Sequence, residues 1–246
     1  MHFLDLPGAR ALRTPGLLDT THALTACLAQ RAMLCLYGAS GVGKTFAVRL
    51  ALAGHPPDRH CRLDLRAHPE PTDLRAALHH ALHLPGDPPS DPGVCDASIL
   101  DTLTRPPRIV VVDDAHQLSP AAFEYLRYLY DTLPGGLCIV LIAGEDSGQL
   151  LRRQRMLASR TAAWVEITPL LPDHVPQAIS RLHPIWRHTD HTVLRHMDAR
   201  FAHGRLRRWA ALTHHTRRAQ TFAHTGAVTP ELLERIADRI DPPPRR

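Results

Sequence analysis

Lysine is almost missing from this chain. Lysine and arginine together number 29 in 246 residues, yet Lys44 is the one lysine, so every other strongly basic residue is arginine. A GC-rich coding bias is the simplest cause of so wide a replacement. Aromatic residues are scarce as well, at 5%, so the core has to be built mainly from Leu, Ala, Val and Ile, which a hydrophobic content of 44% allows. Long apolar runs are missing: the longest, Leu137 to Ala143, is far shorter than the roughly 20 residues of a membrane-spanning helix. The N-terminus lacks the basic-then-apolar pattern of a signal peptide. Paired cysteines are missing too. Five lie at 27, 35, 61, 95 and 138, an odd number without a C-x-x-C spacing. Cys35 and Cys138 fall inside apolar stretches, so the set reads as small buried hydrophobes in a reducing cytoplasm, not as disulfides or zinc ligands.

Against these absences stand 18 histidines and a net charge of +5. His79 and His83 have the i,i+4 spacing of a helical metal pair. No carboxylate or cysteine converges on them in sequence, and the coding bias accounts better for histidines so scattered. Arginine contacts phosphate well, so the basic balance is compatible with DNA as a partner, and equally with arginine drift on a solvated surface.

The surviving lysine sits in Gly38-Ala39-Ser40-Gly41-Val42-Gly43-Lys44-Thr45, which is G-x-x-x-x-G-K-S/T, the P-loop or Walker A pattern. A rigid, planar guanidinium cannot replace a compact ammonium folded against phosphate oxygens, which explains why this position escaped the drift. In such a loop, backbone N–H groups wrap the nucleotide phosphates, helped by the positive end of the following helix. Lys44 then reaches the terminal phosphates and the Thr45 hydroxyl ligates Mg²⁺.

The surrounding pattern supplies the context that this motif requires. Met33 to Tyr37 is a short apolar strand running into the loop, and Thr45 to Ala53 continues as a helix. Asp19 to Gln30 reads as a helix before it. Further on, strands are predicted at Cys61–Leu65, Ile109–Val112, Cys138–Ala143 and Trp164–Ile167. Helices are predicted at Pro71–Leu82, Ala97–Leu103 and Ser119–Thr132, the last with Ser119 as N-cap, and again after the strand that ends at Ala143, to about Ala158. Leu84 to Val94, rich in Pro, Gly and Asp, is expected to be an exposed loop. Alternating strands and helices predict a three-layer α/β fold around a parallel sheet. From Pro172 the strands stop, and four helical stretches follow, at roughly 173–182, 190–200, 205–223 and 229–240. The expected organisation is an extended lead-in at 1–16, a nucleotide-binding α/β core at 17–170, an all-helical lid at 171–240 and a disordered tail at 241–246.

A second motif lies about 70 residues beyond the first. Ile109-Val110-Val111-Val112-Asp113-Asp114-Ala115-His116 is an apolar strand ending in acids, the Walker B pattern. Asp113, at the strand tip, would hold Mg²⁺ through water. Asp114 would polarise the attacking water.

Asp113-Asp114-Ala115-His116 resembles the D-E-A-H form of Walker B in AAA+ ATPases, with Asp114 in place of the usual glutamate. Its carboxylate is one methylene shorter, which would slow hydrolysis or favour long-lived ATP-bound assemblies. The resemblance extends along the chain. The tip of the strand ending at Ala143 reads Gly144-Glu145-Asp146-Ser147, where the family carries a polar sensor 1 residue, and Glu145, Asp146 and Ser147 all remain open for that role. Met156-Leu157-Ala158-Ser159-Arg160 resembles the L-x-S-R segment that supplies an arginine finger, so Arg160 is implied to act on the neighbouring subunit's γ-phosphate. His203-Gly204-Arg205-Leu206-Arg207-Arg208-Trp209 resembles the G-x-x-R sensor 2 element, with Arg207 as its arginine and Arg208 as the alternative.

Within AAA+, the compact core, the short lid and the F-x-x-L-R-x-L-x-D run from Phe123 to Asp131 are similar to the TnsC, TniB, MuB and IstB type; ExeA-type ATPases share much of this pattern. The resemblance implies a cytoplasmic ATPase with ATP and Mg²⁺ as cofactors and Asp114, Arg160 and Arg207 as catalytic residues. It implies a ring or filament of identical subunits on duplex DNA, held mostly through the phosphate backbone without sequence preference. A transposase or other recombination protein would be recruited or activated, and no membrane is involved. Arg105, Arg108 and Arg127 are candidate DNA contacts. Two other expectations remain beside it: an ExeA-like assembly ATPase, and a slow-hydrolysing nucleotide switch built for partner binding.

Overall fold

Runs of β-branched and aliphatic residues form the three central strands, and their parallel pairing buries them on both faces. The computed structural model describes residues 6–105, 108–133, 136–144, 147–223 and 228–242, with only the backbone of Leu150, Arg155, Met156, Phe222 and Ala223. By internal contacts, the chain divides into two units. An α/β unit comprises Pro15–Ala39 and Lys44–Ile167; a helical unit comprises the residues up to Thr14, Ser40–Gly43 and those from Thr168 onward.

In the α/β unit the elements follow in the order α1 (Pro15–Gln30), β1 (Met33–Tyr37), α2 (Lys44–Leu52), β2 (His60–Leu63), α3 (Pro71–Ala81) and α4 (Pro92–Thr104). Then come β3 (Arg108–Val112), α5 (Pro120–Thr132), β4 (Leu137–Ile142), α6 (Ser147–Arg153), α7 (Arg155–Ala158) and β5 (Thr161–Glu166). The five strands form one parallel sheet in the order β2-β3-β4-β1-β5, as the alternating pattern predicts. All six residues of β4 are buried, whereas β5, at the sheet edge, is only half-buried. This order places β4 between β3 and β1, so the loops that leave the C-terminal ends of all three come together. Ligands bind in parallel α/β sheets at such a crevice, outside the carboxyl ends of the strands.

Several element ends differ from the sequence reading for local reasons. Helix α1 starts at Pro15, four residues early, because proline is preorganised for a first helical turn. Helix α4 starts at Pro92 inside the expected loop, since the Asp91 carboxylate accepts from the Val94 N–H at 2.9 Å. The single helix expected after β4 is two, α6 and α7, interrupted at Gln154. Ser119 caps α5 as expected, accepting from the Ala122 N–H at 3.1 Å. All five cysteines are buried and unbonded to one another. Residues 243–246 of the expected tail lie outside the described residues, as do residues 1–5 of the lead-in.

One polar cluster ties α3, α4 and α5 together. Arg75 donates to both carboxylate oxygens of Asp96, at 2.8 and 3.0 Å, and its guanidinium lies 4.4 Å from the centre of the Tyr125 ring. The Tyr125 hydroxyl donates to the same carboxylate at 2.6 Å. Burial, and then that bond, push the Tyr125 hydroxyl pKa up. Asp96→Asn removes the charge that two mostly buried donors share, so stability falls by about 2 kcal/mol. Urea unfolding measures the loss, and an unchanged midpoint would contradict it.

The helical unit contains α8 (Val175–Leu182), α9 (His191–Met197), a π-helical turn (Asp198–Ala202), α10 (Leu206–Ala223) and α11 (Pro230–Ile240). Its core holds three of the scarce aromatics, Trp186, Phe201 and Trp209, and the two indoles pack edge to face at 5.7 Å. Each indole N–H is satisfied, by Thr213 Oγ1 and by Asp198 Oδ1 respectively, both at 2.9 Å. Among the described residues, no helix is long and apolar enough to cross a membrane.

Candidate nucleotide-binding site

The Walker A run forms the expected loop between β1 and α2. Gly38, Gly41 and Gly43 have φ of +145°, +83° and +106°, which turn the chain sharply between strand and helix. Lys44 opens α2, and its ammonium folds back to donate to the Gly38 and Ala39 carbonyls at 2.8 and 2.9 Å. Nucleotide phosphates would exchange for these neutral acceptors and form stronger charge-assisted bonds.

The Walker B strand delivers its acids to the same end of the sheet. Asp113 follows the last residue of β3, and its Oδ2 accepts from the Thr45 hydroxyl at 2.9 Å. Its Oδ1 accepts from the Asp114 backbone N–H at 3.0 Å. The donor set fits a hard divalent cation: a hydroxyl oxygen beside a fixed carboxylate, with no soft ligand. Asp114 itself is exposed and sits in the left-handed region, at φ 49°, which aspartate tolerates better than most residues. His116 joins two strand tips, its Nδ1 accepting from the Gly144 N–H beyond β4 at 3.3 Å. Of the sensor 1 alternatives, Ser147 is buried at the start of α6, while Glu145 and Asp146 lie outside the described residues.

Arg62 is the site residue that sequence reading missed. It donates from Nη2 to Asp113 Oδ2 at 3.0 Å, so two donors share that oxygen. The signal was present in the alternation of β2, where Cys61 and Leu63 are buried and Arg62 faces out. Only the sheet order shows that β2 neighbours the strand carrying Asp113.

Within the helical unit, Arg207 lies against the loop residues Ser40 and Gly41. Its backbone N–H donates to the Gly41 carbonyl at 2.9 Å, and its guanidinium reaches Ser40 Oγ at 3.3 Å. Arg208, the alternative, is engaged elsewhere, donating to the Phe201 carbonyl and pairing with Asp241 at 3.0 Å.

Arg160 lies at the other end of the sheet. Its carbonyl accepts from Met33 N, the first residue of β1, whereas Lys44 follows the last residues of that strand. Its guanidinium makes a two-pronged pair with Asp131, Nε to Oδ1 at 2.7 Å and Nη2 to Oδ2 at 2.8 Å. These bonds, followed by one from Arg127, hold the Asp131 carboxyl below the usual carboxylate range. The candidate DNA arginines are engaged as well: Arg105 with Asp101, Arg108 with the Asp58 carbonyl, and Arg127 with Glu124 and Asp131. His79 is buried in α3, and among the described residues no group of three or more His, Cys, Asp or Glu side chains is arranged to hold a metal.

Comparison with known proteins agrees with this geometry. No curated protein matches the sequence. Solved structures share the fold at low identity, which shows the fold alone. The ORC2 protein of Aeropyrum pernix, in ADPNP–ADP complexes, has a TM-score of 0.73 at 11% identity, over 99% of this chain and 72% of that one. Cdc6p from Pyrobaculum aerophilum gives 0.77 at 14% identity, over 95% and 69%. The RuvB Holliday junction branch migration motor of Thermotoga maritima gives 0.65 at 16%, over 97% and 73%. Residues 28–151, just over half of the chain, match the AAA domain family of nucleotide-hydrolysing ATPases. With its P-loop, its Asp113–Thr45 pair and that family match over residues 28–151, this chain belongs to the AAA domain family.

Proposed function

We propose that this protein is a cytoplasmic ATPase that assembles with ATP on duplex DNA and recruits or activates a transposase. The hydrogen bond between Thr45 and Asp113 carries the nucleotide part of this reading, because it joins the two motifs that bind a nucleotide and its cation. Gly38 to Thr45 would hold the phosphates, and Thr45 with Asp113 would hold Mg²⁺. When bound, Mg²⁺ supplies charge neutralisation at the terminal phosphates. Asp114, exposed at the strand tip, would orient the attacking water, and Arg207 would contact the nucleotide from the loop it touches. Arg160 stands too far from its own loop along β1 to serve it, at about 3.3 Å per residue. Its proposed role is therefore in a neighbouring copy, which makes an oligomer necessary for a complete site.

The DNA part is supported by the surplus of arginine and by the fold shared with a Holliday junction branch migration motor. Filter binding of duplex DNA with ATP, ADP and no nucleotide tests it. ATP is expected to tighten binding by at least about tenfold, and affinity is expected to fall steeply with salt. Equal affinity in all three states, or none, would refute the DNA assignment.

The shorter Asp114 favours a related reading, a slow switch in which ATP-bound assemblies persist. Asp114→Glu restores the missing methylene and is expected to raise turnover about tenfold, a small part of the roughly 100- to 10,000-fold that a positioned general base contributes. A release assay for inorganic phosphate reads the change; a lower rate in the glutamate variant would remove the slow-switch reading.

A further inference from the structure

We propose that Arg62 and a divalent cation compete for Asp113, so that Arg62 sets the cation concentration at which nucleotide is loaded. The proposal rests on the nucleotide-site reading above. Asp113 Oδ2 accepts from Thr45 at 2.9 Å and from Arg62 at 3.0 Å. The first bond is compatible with a bound cation, because Thr45 donates its hydrogen to Asp113 and keeps lone pairs for the metal. The second is not, because it sets a full positive charge on the oxygen that must face a second, stronger positive charge.

Arg62 also has somewhere to go. Its side chain is 41% exposed on an edge strand, and Asp64, just beyond the end of β2, is exposed as well. A cavity of about 150 Å³ lies here, lined by Arg62, Asp64, Arg66, Asp113, Asp114 and Gln117 among others. Asp64 in the same cavity is the carboxylate toward which the guanidinium would turn on leaving Asp113. In the nucleotide-free protein, Arg62 neutralises Asp113 and fixes its orientation. When cation and nucleotide arrive together, it yields that oxygen. The pair thus raises the cation threshold for loading and keeps the carboxylate aligned until loading occurs.

The test is a titration of the full chain with Mn²⁺, followed by the electron paramagnetic resonance signal of the free ion, in the presence of a non-hydrolysable ATP analogue. Arg62→Gln and Arg62→Ala are expected to lower the Mn²⁺ midpoint by about fivefold to tenfold, after allowance for solvent screening at a half-exposed site. Arg62→Lys, which keeps the charge, is expected to stay within about twofold of wild type. An unchanged or raised midpoint in the first two variants overturns the proposal. Equal tightening in all three overturns it too, because charge would not be the cause. Wild-type protein that binds no Mn²⁺ in a nucleotide-dependent way would instead sink the nucleotide-site reading.

Discussion

Replacing Lys44 with Ala lowers the affinity for ATP by about 100-fold or more, enough to abolish binding at micromolar nucleotide. The ammonium is the one compact, strongly positive donor at the start of α2, and it is held over the loop by the Gly38 and Ala39 carbonyls. Those carbonyls are neutral acceptors from the loop itself. Exchanging them for phosphate oxygens turns two hydrogen bonds charged on the donor side alone into stronger ones charged on both sides, and Ala can make neither. Lys44→Arg is expected to fail almost as completely, because a planar fork cannot fold into the space of an ammonium. That second variant explains why a chain that uses arginine everywhere else keeps its lysine here. Fluorescent-nucleotide titration measures both. Retained ATP affinity in Lys44→Ala would contradict the P-loop assignment itself.

The second large effect is on stability. Gly38 has φ +145°, a conformation side chains rarely adopt, and a Cβ there would stand 2.2 Å from the Ile167 carbonyl oxygen. That oxygen cannot move aside easily. The Ile167 N–H donates to the Tyr37 carbonyl at 2.9 Å, continuing the pairing of β1 with β5. Gly38→Ala therefore has to break strand pairing or accept a backbone clash, and is expected to cost on the order of 4 kcal/mol. For a chain of this size the melting temperature falls by roughly 10 °C. Gly54→Ala is the matched control, since a Cβ there meets nothing within 4 Å. Thermal melts that drop equally for both variants would show that the Gly38 environment is not the constraint.

Lys44 and the two acids were legible in the sequence for the same reason. Each is fixed by chemistry at one point: an ammonium that arginine cannot imitate, and carboxylates at the end of a buried apolar strand. Their neighbours in the chain also determine where they stand, because a strand, a glycine turn and a helix N-terminus are local structures. The parallel sheet followed from alternating strands and helices, and the helical region beyond Pro172 from the end of that alternation.

Other features depend on which distant residues meet. The sequence shows Arg160 inside an L-x-S-R segment but not the two-pronged pair with Asp131, 29 residues earlier. As a finger in a neighbouring site it would have to leave that carboxylate or carry it along. Of the three proposed DNA arginines, Arg105 and Arg127 pair with acids three or four residues away in sequence, whereas Arg108 reaches the Asp58 carbonyl, a contact that only folding supplies. Arg62 gave no motif at all. It became a site residue because β2 pairs with β3 in a register that sets Arg62 beside Val111, two residues before Asp113.

By itself, then, the sequence determined the sheet-and-helix order, the phosphate loop, its lysine and the acidic strand tip, because local periodicity and side-chain chemistry specify them. The strand order, the sharing of Asp113 between Thr45 and Arg62, and the capture of Arg160 by Asp131 were decided only by tertiary structure. These are contacts between groups far apart in the chain. With 28 arginines competing for 24 acids, composition leaves many pairings open, and packing of the sheet selects among them.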